Sequence, residues 1–139
     1  MSAPRTLTLH NRLSELDRLA EELTAFGHAQ RLPEPVSQAL HLALDEIVTN
    51  IISYGYDDQA DHQISLRLSL VGGEVTAEVE DDARPFNPLE APPPDLTAPL
   101  EERSEGGLGI HLARTVMDRL EYRRQNGKNY LVMRKRVSG

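Results

Sequence analysis

A carboxylate and a carboxamide stand four residues apart at Glu46 and Asn50, inside the run "VSQALHLALDEIVTNIIS". On a helix that spacing leaves them about 40° apart, on one face. Both fall at the border of the apolar stripe just beyond Ala43, whereas Asp45 points away from it. A carboxylate and a carboxamide at the rim of a core suit the floor of a pocket. Taken as a single pair, they more often serve as a rim salt-bridge partner at Glu46 and an Asn50 that satisfies backbone. Further along, "EVTAEVEDD" alternates Val75, Ala77 and Val79, and strict alternation aims Asp81 at the same, inward side. A core-facing carboxylate is costly unless something donates to it. A bound amine edge, an arginine or a backbone N–H would serve, the last by capping the following turn.

A third feature is "EGGLGIHLARTVMD", residues 105–118, where Gly106, Gly107 and Gly109 open an amphipathic run. Helix N-termini offer unpaired N–H groups to anions, and glycine lets a backbone approach closely. Two familiar phosphate cradles do not match. A P-loop needs Lys and then Ser or Thr after its last glycine, but Ile110 and His111 follow Gly109. A dinucleotide fingerprint needs a strand immediately before it and a third small residue, but "APLEERSE" precedes and Leu112 fills the third position. The glycines therefore read as a loop-to-helix junction of a kind that generically suits phosphate oxygens.

These residues need elements to position them. "RTLTLH" alternates as a short strand. Ser14 with Asp17 resembles a capping box opening a helix with apolar positions Leu16, Leu19, Ala20, Leu23 and Phe26, which ends near "RLPEP". After Pro35 the strongest helical pattern places Val36, Leu40, Ala43, Leu44, Ile47, Val48 and Ile51 on one side. "QISLRLSL", Gly72-Gly73 and "EVTAEVEDD" read as a hairpin; "RLEYRRQ", Asn126-Gly127 and "KNYLVMRKR" read as a second. Between Asn87 and Ser104 five prolines exclude a helix or a central strand, and the length suits a functional flap. Grouped hairpins after helices argue for an α+β sandwich with a largely antiparallel sheet.

Composition bounds the function. At 139 residues the chain reads as one domain, and 39% hydrophobic with 27% charged residues fits a globular protein, neither disordered nor membrane-embedded. A net charge of −7 repels a phosphate backbone, so nucleic acid is not expected as a direct partner. No cysteine is present, which removes disulfides, thiolate metal sites and Cys nucleophiles. Without a signal-like start or an 18-residue apolar run, a cytoplasmic location is expected. His10, His28, His41, His62 and His111 lack metal spacing and read as structural or surface groups. Leu120, Tyr122, Tyr130 and Val132 read as core or dimer contacts, and "YRR" with "VMRKRV" as a basic strand face.

Taken together, "ALDEIVTNIISYGY", "DDARPFNPL", "PLEERSEGGLGIHLARTVMD" and "YRRQNGKNYLVMRK" resemble, in order and spacing, the Bergerat ATP-binding fold shared by gyrase, histidine kinases and MutL. Within it the chain resembles the anti-sigma factor serine kinases, over almost its whole length. The resemblance implies a two-layer α/β sandwich, with a mixed, mostly antiparallel sheet, helices on one face and an ATP lid at about 87–106. It implies a Mg²⁺-dependent ATP:protein serine kinase that phosphorylates an anti-anti-sigma (STAS) antagonist and sequesters a sigma factor or similar target, as a homodimer. By the same resemblance Glu46 is the general base, Asn50 helps hold Mg²⁺, and Asp81 accepts from the adenine amine. Gly106, Gly107, Leu108 and Gly109 bring backbone N–H groups to the phosphates, and Arg103 adds charge at the γ-phosphate. Two positions depart from the pattern. Ala83 stands where the family has Gly, with an expected strain of roughly 1 kcal/mol if the position requires positive φ. Tyr54 stands where many relatives carry His. Ala83 motivates an alternative: a partner-switching binding module of the same fold without catalysis. A detached histidine-kinase catalytic domain fits less well, since the first helix offers only His28 as phosphoacceptor.

Overall fold

The computed structural model describes residues 4–90 and 107–137. Strand β1 (Arg5–His10) leads through a 3-10 turn (Leu13–Glu15) into helix α1 (Leu16–Ala29) and then helix α2 (Glu34–Tyr54). The hairpin of β2 (Gln63–Val71) and β3 (Glu74–Asp81) follows. After a 3-10 turn at Pro88–Glu90 come helix α3 (Gly107–Val116) and the hairpin of β4 (Arg119–Gln125) and β5 (Lys128–Arg136). The fold is α+β, one sheet ordered β1-β2-β3-β5-β4 and covered on one face by the helices. The sheet is the mostly antiparallel one expected, and every strand pairing among the described residues is antiparallel, with no parallel pair. Both hairpins turn through two left-handed residues, Gly72-Gly73 (φ 61° and 76°) and Asn126-Gly127 (φ 53° and 75°), which match the twist of the strands.

Period-two alternation decides the inner face. Leu7 and Leu9 of β1, Ile64, Leu66 and Leu68 of β2, and Val75, Ala77 and Val79 of β3 are buried against Leu19, Leu23 and Phe26 of α1 and Leu40, Leu44 and Val48 of α2. Phe26 is the largest fully buried side chain and the rest are mostly aliphatic, as a chain with few aromatics requires. Each such side chain contributes about 1.5–3 kcal/mol by leaving water. Helix α3 adds Ile110 and Ala113, packing mainly on α2, and Met117 just past its end joins them. No helix among the described residues is long and apolar enough to cross a membrane.

Three local expectations are corrected. The Ser14 capping box does not form: α1 begins at Leu16, and its N-cap, Glu15, makes no side-chain cap bond. Instead the Glu15 carboxylate accepts the His10 N–H (3.0 Å), and Arg18 donates to Thr8 O (2.8 Å), so the helix side chains serve the outer edge of β1. That demand on Glu15 replaces the cap. Ala20 is exposed rather than part of the α1 apolar stripe. On β5, the register places Leu131 opposite Val79 and Met133 opposite Ala77, so those two enter the core; Tyr130 and Val132, expected as core or dimer contacts, lie on the outer face, which excludes only the core half of that expectation. Leu120 and Tyr122 do pack on the core side.

Candidate functional site

The inward phase of β3 carries Asp81 to the end of the core, where it is 5% exposed. A buried carboxylate needs donors, and two reach it. Its Oδ1 accepts the Ala83 N–H (2.9 Å), an Asx-type turn, and the Asn129 Nδ2–H (2.9 Å) from the directly opposed position of β5. The same Asn129 amide donates to the carbonyls of Ala83 (3.3 Å) and Arg84 (2.9 Å), and its Oδ1 accepts from the Tyr122 hydroxyl. Arg124 closes the turn by donating to Ala83 O (2.8 Å). Both bonds to Asp81 fall on Oδ1; among the described residues Oδ2 accepts none, which leaves it for an N–H donor on a ligand. Burial pushes the Asp81 carboxyl above the usual range, and the bonds from Asn129 and Ala83 oppose that rise.

Asp81 borders a cleft of about 250 Å³ between α2, the turn after β3, α3 and the β4-β5 hairpin. Its walls are mainly apolar: Ile47, Ile51, Ala83, Ile110 and Leu131, with Tyr54 and Phe86 half-exposed along it. Asn50 lines it from α2. A flat heteroaromatic ligand with one amine edge suits such walls and such an acceptor. Glu46 lies one turn before Asn50 on α2 and is half-buried, outside the lining of the cleft. Burial raises its pKa, and the exposed Asp45 beside it adds to the rise. A raised carboxylate is nearer to what a general base at neutral pH needs.

Ala83 does not adopt a positive φ, so the strain expected for alanine at this position is absent. Its methyl is instead accommodated by Gly55, the C-cap of α2. A Cβ on Gly55 would lie 2.7 Å from the Ala83 Cβ and 2.5 Å from Ile51 O. Gly55 O accepts the Arg84 N–H (3.0 Å), so backbone meets backbone where a side chain would stand.

The structure thus brings Asn50, Asp81 and Ala83 to one cleft, with Tyr54 at its side. Gly107, Leu108 and Gly109 form the first turn of α3. Gly106, Arg103 and most of the expected lid lie outside the described residues. Sequence reasoning missed Asn129, Tyr122, Arg124 and Gly55. The signal for Asn129 was present, since Asn129, Leu131 and Met133 share one phase of β5; reading Tyr130 and Val132 as core or dimer contacts drew attention to the other phase.

Among the described residues no cluster of three or more His, Asp or Glu side chains could hold a metal ion. A neutral amide such as Asn50 suits Mg²⁺ only where phosphates and water supply the other ligands, which is that ion's habit. Among the described residues, Asn50 fits a cation that brings its other ligands with it rather than a protein-built cage.

A family model described as the histidine kinase-like ATPase domain matches residues 9–135. The serine/threonine-protein kinase BtrW of Bordetella bronchiseptica is 32% identical over 94 residues, 68% of this chain and 66% of that protein. An anti-sigma F factor of Thermoanaerobacter sp. strain X514 is 35% identical over 91 residues, 65% of this chain and 62% of that protein. The chain therefore matches just under two thirds of the length of either relative. Among solved structures, the RsbU and RsbW domains of a Mycobacterium tuberculosis protein superpose with a TM-score of 0.71 at 16% identity, over 98% of this chain and 33% of that one. At that identity the likeness speaks for the fold.

Proposed function

Since the chain belongs to the histidine kinase-like ATPase domain family, we propose that its cleft binds Mg-ATP and that the protein is a serine kinase of the anti-sigma-factor type. The observation that carries this reading is Asp81: a buried carboxylate whose Oδ1 takes both of the bonds seen among the described residues, in an apolar cleft shared with Asn50. Asp81 accepts the exocyclic amine of adenine at Oδ2, and Asn129 fixes the carboxylate for that purpose. Asn50 is the side chain that would hold Mg²⁺. When bound, Mg-ATP supplies the transferable phosphoryl group and neutralises its charge. Phosphoryl transfer asks the protein chiefly for positioning and a proton acceptor. Glu46 takes the proton from the attacking serine hydroxyl, and its raised pKa suits that role.

The substrate is a serine on a small antagonist of the STAS type, and the retained target is a sigma factor or a similar regulator, held by a homodimer in the cytoplasm. This reading draws on the relatives' names, a serine/threonine-protein kinase and an anti-sigma F factor. A phosphate on the antagonist lowers its affinity for this protein of net charge −7 by like-charge repulsion. Titration calorimetry with ATP, with and without Mg²⁺, tests the cleft, and transfer of labelled phosphate to a co-encoded STAS protein tests the activity. Mg-dependent binding with transfer supports the kinase. Binding of the STAS protein without transfer favours the non-catalytic partner-switching module. No ATP binding at millimolar nucleotide overturns the reading.

A further inference from the structure

Outside the lining of the cleft, in an adjoining cavity that Asp81 also lines, His62 is placed between two carboxylates. Its Nδ1 lies 3.0 Å from Asp82 Oδ2, and its Nε2 lies 2.9 Å from Asp58 Oδ1. The ring stacks on Tyr56 with centroids 4.2 Å apart, and the Tyr56 hydroxyl donates to the other Asp82 oxygen (3.0 Å). The His62 backbone is anchored to Asn11 on both sides: His62 N–H donates to Asn11 Oδ1 (2.9 Å) and His62 O accepts the Asn11 N–H (3.1 Å). Asp58 belongs to the connection between α2 and β2, and Asp82 to the turn that presents Asp81. The two segments that form this wall of the cleft are therefore joined through one imidazole.

A neutral imidazole carries a single N–H. Flanked by carboxylates at both nitrogens, it can donate to one of them only, and its lone pair then faces the other. Both bonds require the imidazolium. From this geometry we infer that His62 is a positioning residue for the nucleotide site: as a cation it clamps residues 55–62 against the turn at 81–84, and its deprotonation loosens that wall. The inference rests on the cleft being the ATP site.

The surroundings agree in sign. Bonds to Asp82 and then to Asp58 hold the His62 pKa above its ordinary value, with burial opposing. Asp58 is held low chiefly by His62; Asp82 is held low by His62 and Tyr56 against burial. The adjoining cavity of about 330 Å³ is lined by Asp61, Glu80, Asp81 and Asp82, with Lys128 as its cation besides His62. Lys128 lies 3.6 Å from Glu80, and Asp61 is shared by His10 (3.0 Å) and Arg12 (3.6 Å). Acidic groups thus outnumber basic ones around the ring. Other ties between the segments remain when His62 is neutral: Arg84 N–H to Gly55 O, Arg84 to Asp57, and Tyr56 to Asp82. The expected effect is accordingly graded, roughly three- to tenfold in ATP affinity.

The sign of the pH dependence follows. The clamp is complete below the ordinary histidine value and is lost as pH rises through the raised one. ATP binding by the unaltered chain should weaken across that window. The test pairs an NMR titration of the His62 ring with calorimetry of ATP binding to the native chain and to His62→Phe, which keeps the stack on Tyr56 but has no N–H. The affinity ratio of the two cancels the nucleotide's own titration. The expected result is a ring with both nitrogens protonated at pH 6, and a ratio of about three to ten at pH 6 that approaches one at pH 9. A ring that titrates at or below the ordinary value, or a ratio that does not change with pH, overturns the proposal. Should His62→Phe not fold, Asp58→Asn replaces it and must lower the ring's pKa, while an unchanged pKa counts against the clamp. If neither chain binds ATP at any pH, the nucleotide reading falls. The ring titration, with protection of amides 55–62 relative to their intrinsic exchange rate that falls above the ring's pKa, then decides the clamp alone; protection unchanged across that pKa overturns it.

Discussion

Asn129 faces Asp81 across the β3-β5 ladder, and its amide donates 2.9 Å to the carboxylate while also reaching the carbonyls of Ala83 and Arg84. One buried side chain thereby holds both the acceptor and the turn that follows it. Replacing it with leucine, of similar size, leaves the Tyr122 hydroxyl and several acceptors without their partner. Asn129→Leu should lower stability by about 2 kcal/mol and weaken ATP binding about tenfold. Urea unfolding and calorimetry check the two effects; a variant with native affinity would remove Asn129 from the site.

Asp81 itself is held at a cost to the folded chain. Burial raises its pKa, so the folded state binds this proton more tightly than the unfolded state does. The sign is then fixed: stability associated with this group is full below the ordinary aspartate value and is lost as pH rises through the raised one. Asp81→Asn should therefore be more stable than the native chain at neutral pH, by about 1 kcal/mol, while binding ATP at least about a hundredfold more weakly. Thermal unfolding of both chains from pH 4 to 8 measures the gap, which should widen toward neutrality.

Gly55 is required by space rather than by its backbone angle, since its φ is −83°. Gly55→Ala should destabilise the protein by about 1–3 kcal/mol through overpacking. Ala83→Gly in the same chain should recover only part of that loss, because the contact with Ile51 O at 2.5 Å is untouched. Denaturant midpoints of the two single variants and the double variant measure the coupling.

The proposed base, Glu46, can take a proton only when ionised, and burial with the neighbouring Asp45 raises its pKa. Phosphoryl transfer should rise with pH through that raised value and then level off. Glu46→Gln should lower transfer about 10²- to 10⁴-fold and leave ATP affinity within about twofold. Single-turnover transfer across pH, beside calorimetry, separates the two; transfer at full rate in the variant would dismiss the assignment.

Much of the architecture was legible because both its periods are strong. The α2 stripe from Val36 to Val48 and the alternation of β2 and β3 each bury the residues their period demands. Boundaries were less legible where a side chain had two competing uses: Glu15 serves the edge of β1 instead of capping α1. On β5 alternating residues are apolar in both phases, so hydrophobicity could not choose between Leu131 with Met133 and Tyr130 with Val132. Pairing with β3 made that choice, and it brought Asn129 inward.

The sequence by itself determined that a helix presents Glu46 and Asn50 on one border and that a strand turns Asp81 inward, because helical and strand periods are local properties of the chain. Only the tertiary structure decided how Asp81 is satisfied, why Ala83 is tolerated and where His62 stands. Those depend on residues far apart in sequence: Asn129 is 48 positions from Asp81, and His62 is 20 from Asp82. No local period encodes such a distance. Register across the sheet sets it, and register is settled by the whole core at once.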